Sequence, residues 1–248
     1  MSETRRYTSP FHAGARFVAQ RLMLKPVIWR LATVTVLGRE HLDGLTGPYV
    51  VVSNHASHLD APLIIGALPH RLARYVAAGA AADYFFDVKW RKGLTALFFN
   101  AFPVDRTGLR GKRGLATTLL DQGVPLLLFP EGTRSRTGEI GQFKPGAAAL
   151  CKSRDVPCLP VAIVGANEAM PYGKSWPERG RPPVWLTFGE PLRAEDGESA
   201  MDFSDRIAKE VRNLIDYTHA VRSGEEPAEM PREDRSRRDP TEGHGNSA

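Results

Sequence analysis

Cysteine, long apolar runs and nucleophile motifs are all scarce in this chain of 248 residues. Its two cysteines, Cys151 and Cys158, match neither a CxxC pair nor a zinc ribbon, and two cannot build a disulfide framework. No uncharged apolar stretch approaches the roughly 18 residues that suggest a membrane span. The longest, Gly93–Val104 and Val156–Ala166, are sized for core or interfacial elements. No GxxxxGK[ST] phosphate loop occurs, and Ser53, Ser57, Cys151 and Cys158 have no nucleophile context such as GxSxG. The opening residues MSETRRYTSP lack the apolar core of a secretory signal. A cytosolic chain with reduced thiols is therefore expected.

What is present is a globular composition with a basic bias. A hydrophobic share of 42% suits a packed core and excludes a wholly disordered chain. The length allows one large domain or two small ones. Residues 1–221 carry 28 basic against 21 acidic side chains, a net of +7, whereas residues 222–248 are slightly acidic. A basic body suits a phosphate-bearing partner: nucleic acid, an anionic membrane or a phosphorylated metabolite.

Apolar runs then alternate between short strands and helices. Strands are expected over Thr33–Leu37, Tyr49–Ser53, Arg74–Ala78, Pro125–Phe129, Cys158–Val164 and Pro183–Phe188, and helices over Asp60–Leu68, Lys112–Gln122, Gly146–Lys152 and Phe203–Val221. The strands show little polar alternation, the mark of a sheet covered on both faces, so residues 33–221 read as one α/β domain. Before it, Phe11–Ala32 is apolar with bases at Arg16, Arg21, Lys25 and Arg30, and Pro26 should split it into two short helices. Residues 1–32 suit either a surface-seeking element or a helix packed on the core. Tyr84–Phe102 places seven of the chain's 21 aromatics within 19 residues, around Lys89, Arg91 and Lys92. Rings beside bases fit the headgroup region of a bilayer, and equally a core helix with a charged turn. The tail 222–248 has no apolar periodicity and is expected to be disordered.

Three clusters can carry chemistry. Ser53-Asn-His-Ala-Ser-His-Leu-Asp60 follows an apolar strand. His55, His58 and Asp60 could bind a metal, though no second histidine cluster completes a site. Ser57-x-x-Asp60 has capping-box spacing. Alternatively, Asp60 could fix the tautomer of His55 and leave its other nitrogen as a general base, a triad without its serine, the attacking oxygen coming from substrate. The second cluster, Leu126–Ser135, runs a strand into Pro-Glu-Gly-Thr-Arg-Ser, where Gly132 allows close backbone approach, Thr133 can donate and Arg134 can grip a phosphate. The third, Asn100-Ala-Phe-Pro-Val-Asp-Arg106, sets another arginine at a strand end, where two such arginines could converge on one ligand.

Together these clusters resemble the glycerolipid acyltransferase family, typified by bacterial 1-acylglycerol-3-phosphate acyltransferases. The family's His-x4-Asp is here His55–Asp60. Its second block ends as Phe102-Pro-Val-Asp-Arg106, with Asn100 where glycine is usual. Its third is Phe129-Pro-Glu-Gly-Thr-Arg134-Ser, and its fourth is the apolar Val156–Ala162 with Pro160 central. The sequence Phe143-Lys-Pro-Gly-Ala-Ala148 is also typical, and His58 stands where an aromatic residue is frequent.

The resemblance implies a single α/β domain whose mixed sheet is largely covered by helices, like that of glycerol-3-phosphate acyltransferases, with a membrane-associating helical segment ahead of it. It implies that His55 and Asp60 activate a glycerol hydroxyl against an acyl thioester, of coenzyme A or an acyl carrier protein. Arg106, Glu131, Gly132, Thr133 and Arg134 would then form the acceptor-phosphate site. No cofactor and no metal is implied beyond the donor substrate. The partners are a glycerophospholipid acceptor and an anionic membrane surface, reached peripherally from the cytoplasmic face, and not nucleic acid. Another acceptor (glycerol-3-phosphate, a different lysophospholipid or a non-phosphorylated lipid) is the alternative within enzymes. A non-catalytic lipid-binding protein is the alternative outside them, although it would have no use for a His–Asp pair.

Overall fold

Val50, Val51 and Val52 are all fully buried, although successive side chains on a strand point to opposite faces. Both faces of the sheet are therefore covered. Val50 and Val52 pack into one apolar cluster with Phe203, Ile207 and Val211, and Val51 packs into another with Leu63, Ile64 and Leu68. The computed structural model describes residues 4–81, 97–104, 113–174, 176–227 and 230.

Seven strands are described: β1 (Thr33–Leu37), β2 (Val50–Ser53), β3 (Ala77–Ala81), β4 (Phe102–Val104), β5 (Leu126–Leu128), β6 (Cys158–Val164) and β7 (Pro183–Phe188). They lie in the order β1-β7-β6-β2-β5-β3-β4. The strands from β6 to β4 run parallel, while β7 is antiparallel to β6 and parallel to β1, so the sheet is mixed. β3 begins three residues later than the apolar pattern suggests, because its residues are almost all alanine and carry no β-branched signal. The small side chains have a steric cause: a Cβ on Gly79 would come within 2.8 Å of both Leu128 and Val104. Pro160 sits inside β6 without breaking it. Its carbonyl accepts from Gly189 on the β7 side, and a residue's N–H and C=O point the same way. Its missing N–H therefore faces a position where the β6–β7 ladder has not yet begun, since that pairing starts at Val161.

Helices cover the faces. Asp60–Ala67 lies on one face, while Arg113–Asp121, Gly146–Arg154 and Ala200–Ser223 lie on the other. The last helix is capped by Ser199, whose side chain accepts from the Asp202 N–H, and ends on Gly224 at φ 75°. It runs past the expected domain end at 221, and Arg222 there makes a bidentate pair with Glu168 at 3.0 and 2.9 Å. Most of the tail expected to be disordered, including 231–248, lies outside the described residues.

Pro26 does not split the N-terminal segment. Pro10–Val18 continues through a π-helical stretch, Ala19–Leu24, into Lys25–Leu31. The wider π turn just ahead of Pro26 accommodates a ring that would otherwise press on the preceding turn. Three of the four bases, Arg16, Arg21 and Lys25, also turn inward, while Arg30 is exposed. Arg16 is buried and donates to the carbonyls of Arg6 and Tyr7, and burial lowers its pKa to about 10. Arg21 caps the end of the Asp60–Ala67 helix, donating to the carbonyls of Gly66 and Leu68. Lys25 lies over the Trp29 ring, and that ring packs so closely on Gly66 that a Cβ there would meet it at 2.7 Å. Phe11, Val18, Leu22, Met23 and Val27 are left facing outward, with Leu22 70% exposed and Phe11 82%.

Candidate active site

Three loops leave the carboxyl ends of adjacent parallel strands β6, β2 and β5, and the loops after β5 and β6 both bond to the turn after β2 that carries His55. The turn after β2 is fixed first. The Asn54 side chain both donates to and accepts from the Ile163 backbone at 2.9 Å, continuing the β2–β6 ladder one residue beyond the end of β2. The chain then bends so that His55 Nδ1 meets Asp60 Oδ2 at 2.7 Å. The same oxygen accepts the backbone N–H groups of Ala56 and Ser57, each at 2.8 Å. A fully buried carboxylate is expensive unless it is hydrogen-bonded, and three donors supply that compensation. Asp60 supplies one half of the capping-box contact, to the Ser57 N–H, while Leu59 is the N-cap and no side chain caps the helix start. The bond from His55 Nδ1 to Asp60 leaves His55 Nε2 as the unbonded ring nitrogen among the described residues, on a side chain 22% exposed.

The loop after β5 grips His55 from the other side. Glu131 Oε1 accepts the His55 backbone N–H at 2.7 Å, and the Ser135 N–H donates to the His55 carbonyl at 2.7 Å. Phe129 stacks on the imidazole at 4.1 Å between centroids, the rings tilted by 17°. Backbone donor, backbone acceptor and ring face are all engaged by residues 129–135, so the orientation of His55 is set from two directions. Such preorganisation is what a proton-transfer group needs.

Glu131, placed by the family resemblance in the phosphate site, has both oxygens committed to backbone. Oε2 accepts from Gly141 at 2.9 Å, and a Cβ on Gly141 would collide with it at 2.9 Å. Its role in this arrangement is to tie the 141 loop to His55, and a carboxylate would in any case repel a phosphate. Burial raises its pKa, and the N–H groups of Gly141 and His55 offset this in part. Because the folded pKa lies above the unfolded one, this group's contribution to stability is full below the unfolded value and is lost as pH rises through the folded value. Activity should follow the opposite trend: protonation, as pH falls through that raised value, removes one N–H acceptor and loosens His55. Glu131→Gln should therefore lower kcat by about tenfold or more, since one buried N–H then faces an amide donor at a cost of about 1–3 kcal/mol. It should also abolish this acidic limb in a pH–rate profile. A wild-type profile in the variant would detach Glu131 from His55.

Gly132 adopts φ 76°, a left-handed conformation that strains other residues, and a Cβ there would crowd Lys144 Nζ at 3.0 Å. Thr133 is exposed. The Arg134 guanidinium lies over the Tyr172 ring. Arg106 falls outside the described residues, as does most of the aromatic and basic stretch 84–102. Asn100, where the family favours glycine, adopts φ 50°, a left-handed conformation that asparagine tolerates better than other side chains. His58 is half-buried; burial, then Arg134 and His55, hold it below the ordinary histidine value. Among the described residues no group of three His, Cys, Asp or Glu side chains is placed to hold a metal ion. The clamping roles of Phe129 and Ser135 were not readable from residue type, because one acts through its ring face and the other through its backbone.

The family model described as Acyltransferase matches residues 33–164. The chain is 33% identical over 143 residues to a 1-acyl-sn-glycerol-3-phosphate acyltransferase of Chlamydomonas reinhardtii, an alignment covering 57% of this chain and 41% of that protein. It is 35% identical over 139 residues to the mouse (Mus musculus) 1-acyl-sn-glycerol-3-phosphate acyltransferase alpha, covering 52% of this chain and 45% of that one. It thus spans less than half the length of these two relatives. The crystal structure of the 1-acyl-sn-glycerophosphate acyltransferase from Thermotoga maritima superposes with a TM-score of 0.65 at 22% identity, covering 87% of this chain and 86% of that one, and shares the fold. The family model takes in more than half of the residues, among them His55, Asp60 and the whole 129–135 loop, and on that ground the chain belongs to the acyltransferase family.

Proposed function

We propose that this protein is an O-acyltransferase that moves a fatty acyl group from an acyl thioester to the free hydroxyl of 1-acylglycerol-3-phosphate, forming phosphatidic acid. The observation that carries this reading is a His55 whose Nδ1 is held by a buried Asp60, whose Nε2 is unbonded, and whose carbonyl bonds Ser135, the residue next to Arg134. His55 Nε2 takes the hydroxyl proton as the oxygen attacks the thioester carbonyl. Asp60 balances the imidazolium that forms. The carbon–sulfur bond then breaks and the thiolate recovers the proton from His55. A thiol with a pKa of about 8.5, taking cysteine as its analogue, is a good leaving group and needs little acid assistance. No cofactor, metal or covalent acyl-enzyme enters this sequence. Arg134, with Arg106, would hold the acceptor phosphate by charge-assisted bonds. The donor is an acyl thioester of coenzyme A or of a carrier protein, and a panel of acceptors offered with each, with products identified by mass spectrometry, tests the reading. Phosphatidic acid as the main product supports it; acylation of only non-phosphorylated acceptors contradicts it.

The lipid substrates place the reaction at a bilayer surface, on the cytoplasmic face in this reading. Among the described residues no helix is long and apolar enough to cross a membrane. The outward row of Phe11, Val18, Leu22, Met23 and Val27 would instead enter one leaflet. Since Arg16 and Arg21 turn inward, apolar insertion rather than these two charges drives binding, and the remaining basic body supplies any preference for anionic lipid. Leu22→Asp together with Phe11→Asp should reduce co-sedimentation with anionic vesicles by at least about tenfold, each lost side chain being worth roughly 1.5–3 kcal/mol when buried. Unchanged sedimentation would remove this face from the interface.

A further inference from the structure

Two guanidinium groups lie over a single aromatic ring beside the His55 turn. Arg134 Cζ is 4.9 Å from the Tyr172 ring centroid and Arg136 Cζ is 5.3 Å from it. Neither arginine makes an ion pair with a carboxylate among the described residues. Ser135, the residue between them, is fixed by its N–H bond to the His55 carbonyl. Tyr172 is fixed from a different direction: two residues before it, the Met170 carbonyl accepts a hydrogen bond from Ser57 Oγ at 3.0 Å, and Ser57 belongs to the His55–Asp60 turn. The loops after β5 and β6 are therefore each anchored to the same turn, and they meet again where the two arginines reach the ring.

Two like charges held together repel each other unless something between them is negative. The face of an aromatic ring supplies part of that, each cation–π contact contributing about 0.5–1 kcal/mol at an exposed site. An anion would supply the rest. A phosphate monoester carries between one and two negative charges at neutral pH and has three acceptor oxygens, which suits a pair of planar guanidinium forks. From this convergence, and resting on the acyltransferase reading above, we infer that Tyr172 is a positioning residue for acceptor recognition. It holds Arg134 and Arg136 in place before the acceptor phosphate arrives, so that less side-chain freedom is lost on binding. Tyr172 lies outside every block that carries the family resemblance.

The test measures acceptor KM, donor KM, kcat and melting temperature for Tyr172→Leu, Tyr172→Phe and Arg134→Ala with 1-acylglycerol-3-phosphate. Tyr172 is 45% exposed, so truncation leaves no core cavity. Should Tyr172→Leu melt early, Tyr172→Gln replaces it. The expected result is an acceptor KM raised about tenfold in Tyr172→Leu, with donor KM and kcat changed less than about twofold. Tyr172→Phe, which keeps the ring face, should recover the acceptor KM. A raised KM in Arg134→Ala with none in Tyr172→Leu overturns the role of Tyr172 and leaves the acceptor reading standing. Equal damage from Tyr172→Phe and Tyr172→Leu overturns the ring as the cause. If neither Arg134→Ala nor Tyr172→Leu moves the acceptor KM, the phosphate site itself has been misplaced.

Discussion

Replacement of His55 by alanine is expected to lower kcat by about 10²–10⁴-fold, the usual range for removal of a general base, while His58→Phe keeps most of the turnover. The two histidines are three residues apart, yet their surroundings differ. His55 has Nδ1 held by Asp60 and its ring face covered by Phe129. Both of its backbone polar groups are bonded to the loop after β5. His58 lies outside that arrangement, and the Asp60 oxygen that could orient it already accepts three hydrogen bonds. Burial and the nearby Arg134 hold His58 below the ordinary histidine value, so it is neutral at neutral pH and adds no positive charge to the acceptor side. An aromatic replacement should alter acceptor affinity at most. If His58→Phe is folded but as inactive as His55→Ala, the base has been misassigned. Zinc found by elemental analysis in the wild type would then restore the metal reading of this turn.

Asp60→Asn should cost about 10²-fold in kcat, less than an aspartate-to-asparagine change costs where the amide selects the wrong histidine tautomer, which is about 10⁴-fold. The difference follows from the two backbone N–H groups, of Ala56 and Ser57, that point at the same Oδ2 as His55 Nδ1. They would force the amide to place its oxygen there, so the His55 tautomer is retained and only the charge that balances the imidazolium is lost. The amide nitrogen would then occupy the position of Oδ1, which is buried with no partner among the described residues. Two unsatisfied N–H bonds in that place should lower stability by about 1–3 kcal/mol. Steady-state kinetics with a thermal melt separates the two effects. A loss as deep as that of His55→Ala, with no change in melting temperature, would mean that the amide turns over and the tautomer inverts.

Much of the sheet was legible because its strands are short apolar runs bounded by turn residues. Thr33–Leu37, Cys158–Val164 and Pro183–Phe188 coincide with the expected segments residue for residue. The displaced strand was β3, whose alanines and glycine are chosen for close packing rather than for strand propensity. The antiparallel seating of β7 against β6 had no local signal either, since it depends on where a long connection returns. In the N-terminal segment, the residue types suggested bases at a membrane surface. Only packing shows that Arg16 and Arg21 satisfy carbonyls of neighbouring helices while the apolar side chains face outward. At the site, the contact between His55 and Asp60 was legible from chemistry and spacing, as the two side chains make it themselves. Glu131 was legible as important, but not as a tie between two backbone loops. Tyr172 could not be found at all, because its relation to Arg134 and Arg136 exists only once the loops after β5 and β6 are brought together.

Direct transfer from thioester to acceptor, with His55 as the base, leaves a plain signature in intact-protein mass spectrometry. The purified protein is incubated with an acyl thioester donor, sampled, and sampled again after 1-acylglycerol-3-phosphate is added, with the lipid product identified in the same mixture. The expected result is no acyl mass increment on the protein in either sample, and phosphatidic acid with stoichiometric free thiol only after the acceptor is present. An acylated protein that forms without acceptor and discharges when acceptor is added would contradict it.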